Sequence, residues 1–442
     1  MKKNIYQIEP DFIPQIEKKS TDDIKIFQFE QIKYSIEYLF KNSPYYQKKW
    51  IDANLSPDAF LSLNDLKLFP VTSKEDISGK EFELLCLPPT EIVEFVTTSG
   101  TVGDPLSIML SRDDLNRLAY NEAISIACTG HKQGMKYQLM TTIDKRFMAG
   151  LAYTLGVHSL NGGLIRVGPG VPELQWDSIQ RFKPEVIIAV PSFIMKLIQY
   201  AKTNNIDFKN SSIQKAICIG EPIRNLDYSL NALGEAILSE WNIHLFSTYA
   251  STEMSTAFTE CYAGKGGHLH PELIYVELLD ENDQPVNDGE YGEVTVTTIG
   301  VQAMPLLRFK TGDVCRIDVE PCICGRNTPR LSPLIGRKQH MIKLKGTTIF
   351  PATVYDLLNQ MKEILLYQLH VSLDEYRNDS LVIKIAIDNS ENTDSIVNKL
   401  KEKCRSILRV TPIIQIEKME ELKSQVFKET HRKPIYFVDH RI

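Results

Sequence analysis

The hydrophobic pattern changes period along the chain, and each change marks a different kind of element. Ile26, Phe29, Ile32, Ile36, Leu39 and Phe40 recur at near-helical spacing and predict an amphipathic helix. Asn42-Ser43-Pro44 breaks it. A further short helix is predicted over 57–66, with Ser56 placed to cap it and Pro57 suited to its first position. Ile92, Val93, Phe95 and Val96 then read as a strand that runs into a polar loop. From there helices are predicted at 113–128, 150–160, 174–182 and 193–202, and strands at 137–142, 163–167, 186–190 and 216–220. The strands at 186–190 and 216–220 are wholly apolar. Continuous apolar strands between helices imply a parallel sheet covered on both faces. After residue 273 the pattern becomes antiparallel, with strands at 275–279 and 293–298. Residues 338–442 read as a short α+β segment, with helices at 355–363 and 394–408 and strands at 366–373 and 381–387.

Composition excludes several classes. The chain has 442 residues, 43% apolar and 24% charged, enough for a large core and two domains. A formal net charge of -6 gives no general attraction to nucleic acid or anionic membrane. No apolar run reaches a membrane span, and Glu9 and Asp11 follow the start too soon for a signal peptide. The expected location is cytoplasmic. Eight cysteines in this length do not make a disulfide framework, and the cytosol keeps thiols reduced.

Candidate chemistry concentrates in short polar stretches. Thr97-Thr98-Ser99-Gly100-Thr101-Val102-Gly103-Asp104-Pro105 follows a strand and offers hydroxyls and backbone N–H groups suited to phosphate oxygens. It is no Walker loop, because no Gly-Lys-Ser/Thr follows the glycines. Gly220-Glu221-Pro222 also lies at the carboxyl end of a predicted strand, where ligands gather in such sheets. Tyr249-Ala250-Ser251-Thr252-Glu253, Leu307-Arg308-Phe309-Lys310-Thr311-Gly312-Asp313, Gly336-Arg337 through Lys345-Gly346, and Lys433 complete the set. Alone, each is most often a turn or a solvated charge. Separately, Cys322-x-Cys324 can join Cys261 and His268 in a tetrahedral Cys₃His metal site, with His270 nearby; the alternative is reduced cysteines packed as small apolar groups.

In their order and spacing these stretches resemble the adenylate-forming (acyl-CoA synthetase) superfamily, and more narrowly the phenylacetate–CoA ligase family. Asn42-Ser43-Pro44-Tyr45-Tyr46 and Leu68-Phe69-Pro70-Val71-Thr72-Ser73-Lys74 belong to the narrower likeness. The fold it implies is α/β. A large N-terminal domain, 1–337, would hold mostly parallel sheets flanked by helices plus a small β subdomain. A small mobile C-terminal α+β lid would span 338–442.

The implied chemistry has two steps. A carboxylate attacks the α-phosphate of ATP, and the thiol of coenzyme A then displaces AMP. By resemblance, Ser99, Gly100, Thr101 and Gly103 form the phosphate loop, and Gly220, Glu221 and Pro222 line the adenine pocket. Tyr249 sits beside adenine and Thr252 near the α-phosphate; Ala250 and Ser251 belong to the same nucleotide-binding turn. Glu253 is the Mg²⁺ carboxylate, Asp313 accepts from the ribose hydroxyls, and Arg337 lies near ribose and phosphate. Lys433 is the catalytic lysine, acting with Glu253 and Thr252. Phe147, Ala149, Tyr153, Cys218, Ala250 and Thr256 are candidate substrate-pocket residues by their place near the motifs. Some members of the family carry a metal at positions matching Cys261, His268, Cys322 and Cys324, which implies structural zinc. The substrate implied is an aromatic acid such as phenylacetate or benzoate, with coenzyme A as acceptor. Loading of a carrier protein and a non-catalytic nucleotide-binding role are the alternatives, and a homodimer is compatible with all three. Asp104, Lys310, Gln339-His340 and Arg432 depart from the family pattern.

Overall fold

A computed structural model describes residues 12–98, 105–344, 347–375, 377–387, 393–428 and 434–441. The chain divides into two compact units, residues 1–311 with 315–333, and residues 312–314 with 334–442. Among the described residues no helix is long and apolar enough to cross a membrane.

In the first unit, α1 (Thr21–Asn42) buries Ile24, Ile32, Ile36 and Leu39, while Ile26 stays exposed. Ser43 ends α1, and its hydroxyl accepts from the Tyr46 amide to start α2 (Pro44–Asp52), with Pro44 at the first position. The predicted helix over 57–66 is instead two 3₁₀ turns, Pro57–Ala59 and Leu63–Leu68, and Ser56 makes no capping bond. Asp65 takes the Leu61 amide and the Ser62 hydroxyl at 3.2 and 2.9 Å, so the chain breaks there and Phe60 turns into the core. A capping box of Ser73 and Asp76 opens the short α3 (Lys74–Ile77).

β1 (Ile92–Thr97) and β2 (Ser107–Ser111) pair antiparallel, with Thr97 opposite Ser107. A second capping box, Ser111 with Asp114, opens α4 (Arg112–Cys128). The central layer then builds in sequence: β3 (Lys136–Leu139), α5 (Met148–Ser159), β4 (Gly163–Arg166), α6 (Pro172–Phe182), β5 (Val186–Ala189), α7 (Pro191–Thr203), β6 (Lys215–Cys218), α8 (Ala232–Glu240), β7 (His244–Ser251) and β8 (Thr256–Thr259). Its six strands lie in the order β4-β3-β5-β6-β7-β8. Neighbours are parallel except β7 with β8.

Alternation along these strands sorts the core into two faces. Ile187, Ala189, Ala216 and Cys218 pack with Trp176, Ile194, Leu197, Ile237 and Trp241 from α6, α7 and α8 and the stretch after them. Val186, Ile188, Ile217 and Ile219 pack with Ala123, Ile126, Tyr153 and Val157 from α4 and α5. Gly150 lets α5 run against the Thr142 backbone, where a Cβ would collide with the carbonyl.

Beyond β8, β9 (Gly267–His268) joins a small sheet with β13 (Ile317–Asp318) and β14 (Arg330–Leu331) in the order β13-β14-β9. The strands β10 (Ile274–Leu279) and β11 (Gly292–Thr298) pair antiparallel, and β12 (Phe309–Cys315) follows β11.

The second unit takes in the segment Gly312–Val314 of β12, whose Asp313 and Val314 pair with Arg337 and Gly336 of β15 (Gly336–Arg337). A hairpin of β16 (Ile342–Leu344) and β17 (Thr347–Ile349) precedes α9 (Pro351–Asn359). The sheet of this unit runs β20-β19-β18-β21, formed by β18 (Ile364–Leu373), β19 (Asp379–Ile387), β20 (Ile413–Ile416) and β21 (Phe437–Asp439). α10 (Thr393–Ile407) and α9 bury Val354, Leu357, Ile396 and Leu400 with Leu369, Ile383 and Ile385. α11 (Met419–Val426) covers Leu366 and Ala386 with Leu422 and Val426. The fold is thus α/β, with parallel and antiparallel sheet regions flanked by helices.

Candidate functional site

Three adjacent parallel strands, β5, β6 and β7, align Ala189, Cys218 and Ser247, and two polar motifs of the first unit, 220–222 and 249–253, follow that level on β6 and β7. Gly220 follows β6 with φ +74°, a left-handed conformation that a side chain would strain. Glu221 is held by Ser192 at the start of α7: its carboxylate accepts from the Ser192 amide and hydroxyl, both at 2.9 Å. Asn231 caps α8 and donates to the Pro222 carbonyl at 2.9 Å, fixing the other side of the turn.

On β7, Tyr249 stands opposite Phe258 with the rings stacked 6.2 Å apart. Ala250 is exposed, and the Ser251 hydroxyl accepts from the Met254 amide at 3.3 Å. Thr252 and Glu253 follow on the turn into β8, both half-buried. This turn is anchored from beneath by Arg117 of α4, 1% exposed. Its guanidinium donates to the carbonyls of Ile299, Ser255 and Leu273 at 2.7, 2.8 and 2.5 Å and to the Thr256 hydroxyl at 3.2 Å. Asn121, one helical turn on, brackets Ala257 through both its amide and its carbonyl. Sequence reading passed over both residues; Arg117, Asn121 and Ser125, polar side chains at a four-residue spacing on one helix, were the available signal. Arg224, half-buried, and the buried Glu260 form a two-pronged pair at 2.6 and 2.8 Å, and Glu260 also takes the Ser247 amide of β7. Burial pushes the Glu260 carboxyl upward, against the pull of Arg224.

Within the second unit, Asp313 and Arg337 face one another across paired strands, with Arg337 Nε 3.4 Å from an Asp313 oxygen. Ser99, Gly100, Thr101, Gly103 and Asp104 lie outside the described residues, as do Lys345, Gly346, Arg432 and Lys433. Around that first loop, the amide of Thr98 donates to the Leu106 carbonyl, and the Leu106 amide donates back to the Thr98 hydroxyl. The loop therefore joins two antiparallel strands.

The six pocket candidates do not gather on one face. Ala149 and Tyr153 share the α4–α5 side, and Phe147 is the N-cap residue of α5. Cys218 is fully buried on the opposite face among α7 and α8, and Thr256 spends its hydroxyl on Arg117 and the Met254 carbonyl.

A second centre does assemble. Cys261, His268, Cys322 and Cys324 bring their ligand atoms within 4.8 Å of one another. Cys261 and Cys322 sulfurs are 3.6 Å apart, and Cys324 sulfur is 3.3 Å from His268 Nε2. Gly325, at φ +90°, turns the Cys-x-Cys segment back so that its amide reaches the Cys322 carbonyl. Hydrogen bonding from Cys261, and then from His268, holds the Cys324 thiol well below the usual range. His270, the neighbouring candidate, points instead to Glu17 and Ser125.

Residues 41–304, which contain these strand-end motifs, match the AMP-binding enzyme profile. The chain belongs to the AMP-binding, adenylate-forming enzymes, and several phenylacetate-coenzyme A ligases are similar to it over most of its length. It is 27% identical to the phenylacetate-coenzyme A ligase of Thermus thermophilus over 85% of this chain and 84% of that one. It is 25% identical to the Escherichia coli phenylacetate-coenzyme A ligase, over 91% and 92%. Its fold is similar to a 2-hydroxyisobutyryl-CoA ligase bound to an acyl-AMP, with TM-score 0.84 and 20% identity over 97% of this chain and 92% of that chain.

Proposed function

We propose that this chain, an AMP-forming acid–CoA ligase by family, activates an aromatic carboxylic acid of the phenylacetate or benzoate kind and passes it to coenzyme A. The observation that carries the reading is the juxtaposition of Gly220–Glu221–Pro222 and Tyr249–Glu253 on neighbouring strand ends. That is where an α/β sheet of this kind receives its ligand.

The first step joins two anions, so positioning and charge neutralisation are the main tasks. In this reading the Gly220 turn and Tyr249 hold adenine, and Asp313 with Arg337 holds ribose and phosphate. Thr252 and the 99–103 loop donate to phosphate oxygens. Glu253 supplies a carboxylate of the hard oxygen type that Mg²⁺ prefers. Lys433 offsets the repulsion between carboxylate and α-phosphate, and residues 338–442 serve as the lid that carries it. Ala149 and Tyr153 remain the pocket candidates that share a face. The cytosol fits the eight free cysteines.

Three thiols and an imidazole converging within 4.8 Å make a donor set that fits zinc, closed by four protein ligands with no position left for catalysis. We assign it a structural zinc. Elemental analysis of protein purified without chelators is expected to give one zinc per chain, lost in Cys322→Ser together with thermal stability.

The function is tested by acid-dependent pyrophosphate release over aryl and short aliphatic acids, with and without coenzyme A. Aryl acids should give release, and coenzyme A should yield the thioester. Preference for aliphatic acids overturns the substrate class, and transfer to a carrier protein but not to coenzyme A overturns the acceptor.

A further inference from the structure

Beside the thiol cluster lies a buried polar network that the ligase chemistry does not use. Glu17, in the 3₁₀ turn Gln15–Lys18, is fully buried. One carboxylate oxygen is 2.5 Å from His270 Nδ1, and the other accepts from Arg326 Nε at 2.7 Å. Arg326 is 3% exposed and its Nη1 points at Cys324 sulfur, 3.6 Å away. The next two residues continue the pattern. The Asn327 amide donates to the Glu17 carbonyl at 2.7 Å, and its side-chain nitrogen reaches the carbonyls of Lys18 and Lys19 at 3.1 Å each. The Thr328 hydroxyl lies 3.0 Å from Nδ1 of His268, the ring nitrogen facing away from Cys324.

We infer that Arg326 and Glu17 position the Cys324 and His268 side of the metal centre, so that the bound metal clasps the segment 12–19 onto the rest of the first unit. The inference rests on the zinc reading above. A metal held by three thiolates carries one excess negative charge, and in a buried site that charge needs a cation beside it. Arg326 is the cation, and Glu17 orients its fork so that Nη1 faces the Cys324 sulfur. Partners of this kind fix ligand orientation, and their loss typically weakens metal binding 10–100-fold. A single 3₁₀ turn has little stability of its own. Its two consecutive carbonyls at Lys18 and Lys19, with that of Glu17, depend on Asn327, whose place is set by the Cys322–Arg326 turn.

Two readouts on the full chain test this. The first is zinc retention against a chromophoric chelator for wild type, Glu17→Gln and Arg326→Lys, with thermal melts of the zinc-loaded proteins to confirm folding. Both variants should release zinc at least about tenfold more readily. The second is trypsin cleavage after Lys18 and Lys19, resolved by mass spectrometry. Zinc-loaded wild type should resist it, and zinc-stripped wild type and Glu17→Gln should be cut at least about tenfold faster. Wild type that takes up no zinc overturns the metal reading and this inference with it. Wild type that binds one zinc while both folded variants hold it equally well, or while stripping leaves cleavage at Lys18 and Lys19 unchanged, overturns the clasp alone.

Discussion

Glu122 gives the sharpest quantitative prediction. It sits on α4 against α5, 3% exposed, where a Cβ on Gly156 would come within 2.6 Å of its own Cβ. Its Oε1 has no hydrogen-bond partner among the described residues. Burial pushes its pKa from 4.5 up to about 8, and the same burial, with Glu122 nearby, raises the Tyr153 hydroxyl. The folded protein therefore keeps this carboxyl protonated at neutral pH, while the unfolded chain ionises it above 4.5. In that window the folded state binds the extra proton, so stability falls as pH rises through it and levels off above about pH 8.

The whole shift corresponds to about 5 kcal/mol. From pH 6 to pH 9 the loss is about 3 kcal/mol, because the first part of the whole loss has already accrued between pH 4.5 and pH 6. A cooperative unit of about 330 residues has an unfolding entropy near 0.7 kcal/mol per degree, so this loss is about 4 °C in Tm. Glu122→Gln keeps the shape and removes the titration. The assay is the difference in Tm between variant and wild type at closely spaced pH values from 6 to 9, in which other titrations cancel. The variant should gain about 4 °C on wild type across that range. A difference that stays flat, or that moves in favour of wild type as pH rises, refutes the buried neutral carboxyl.

Arg117→Met should lower stability by about 3–5 kcal/mol, because three buried carbonyls lose a charged donor; a urea midpoint equivalent to under about 1 kcal/mol contradicts the anchoring of the Thr252–Ser255 turn. Glu253→Gln should slow adenylation most at limiting Mg²⁺, measured as pyrophosphate release, and unchanged activity there removes Glu253 from the metal's ligands. Lys433→Ala should lose roughly a hundredfold in the acid-plus-ATP half-reaction while converting a synthetic acyl-adenylate and coenzyme A near the normal rate; equal loss in both excludes a role confined to adenylation.

The parallel layer was legible because its two middle strands were read as wholly apolar runs between helices: 186–190 and 216–220 became β5 and β6 with ends moved by one or two residues. The cysteine and histidine set was legible from residue type, since few arrangements bring Cys-x-Cys together with a distant Cys and His. What stayed hidden was tertiary. Ser56-Pro57 has the local chemistry of a helix start, but Asp65 competes for the Leu61 amide and Phe60 gains more by burial. Cys218 and Tyr153 were both read as pocket candidates, yet strand alternation puts Cys218 on one face of the sheet and Tyr153 packs on the other. Glu17 and Arg326 are 309 residues apart, and no periodicity links them.

Lys310 shows how a sequence departure is resolved by its neighbours. Read alone, lysine in place of arginine at that position loses a planar fork. In the structure the fork belongs to Arg308, buried at φ +47°, which pairs with Glu277 and donates to the carbonyls of Lys67, Phe69 and Asp283. Lys310 has a different task, bridging Asp283 at 2.5 Å and Glu293 at 3.2 Å. Burial pulls its pKa down, yet the Asp283 hydrogen bond and the Glu293 charge together hold it above the ordinary lysine value. A compact ammonium with rotatable donors suits two carboxylates on separate segments at least as well as a fork does. The backbone amide of Lys310 donates to the Thr72 carbonyl, and the Thr72 amide donates to Arg308. The Pro70-Val71-Thr72 loop and β12 therefore hold each other, and β12 is the strand that leads directly to Asp313. The departure at 310 thus bears on how that strand is braced.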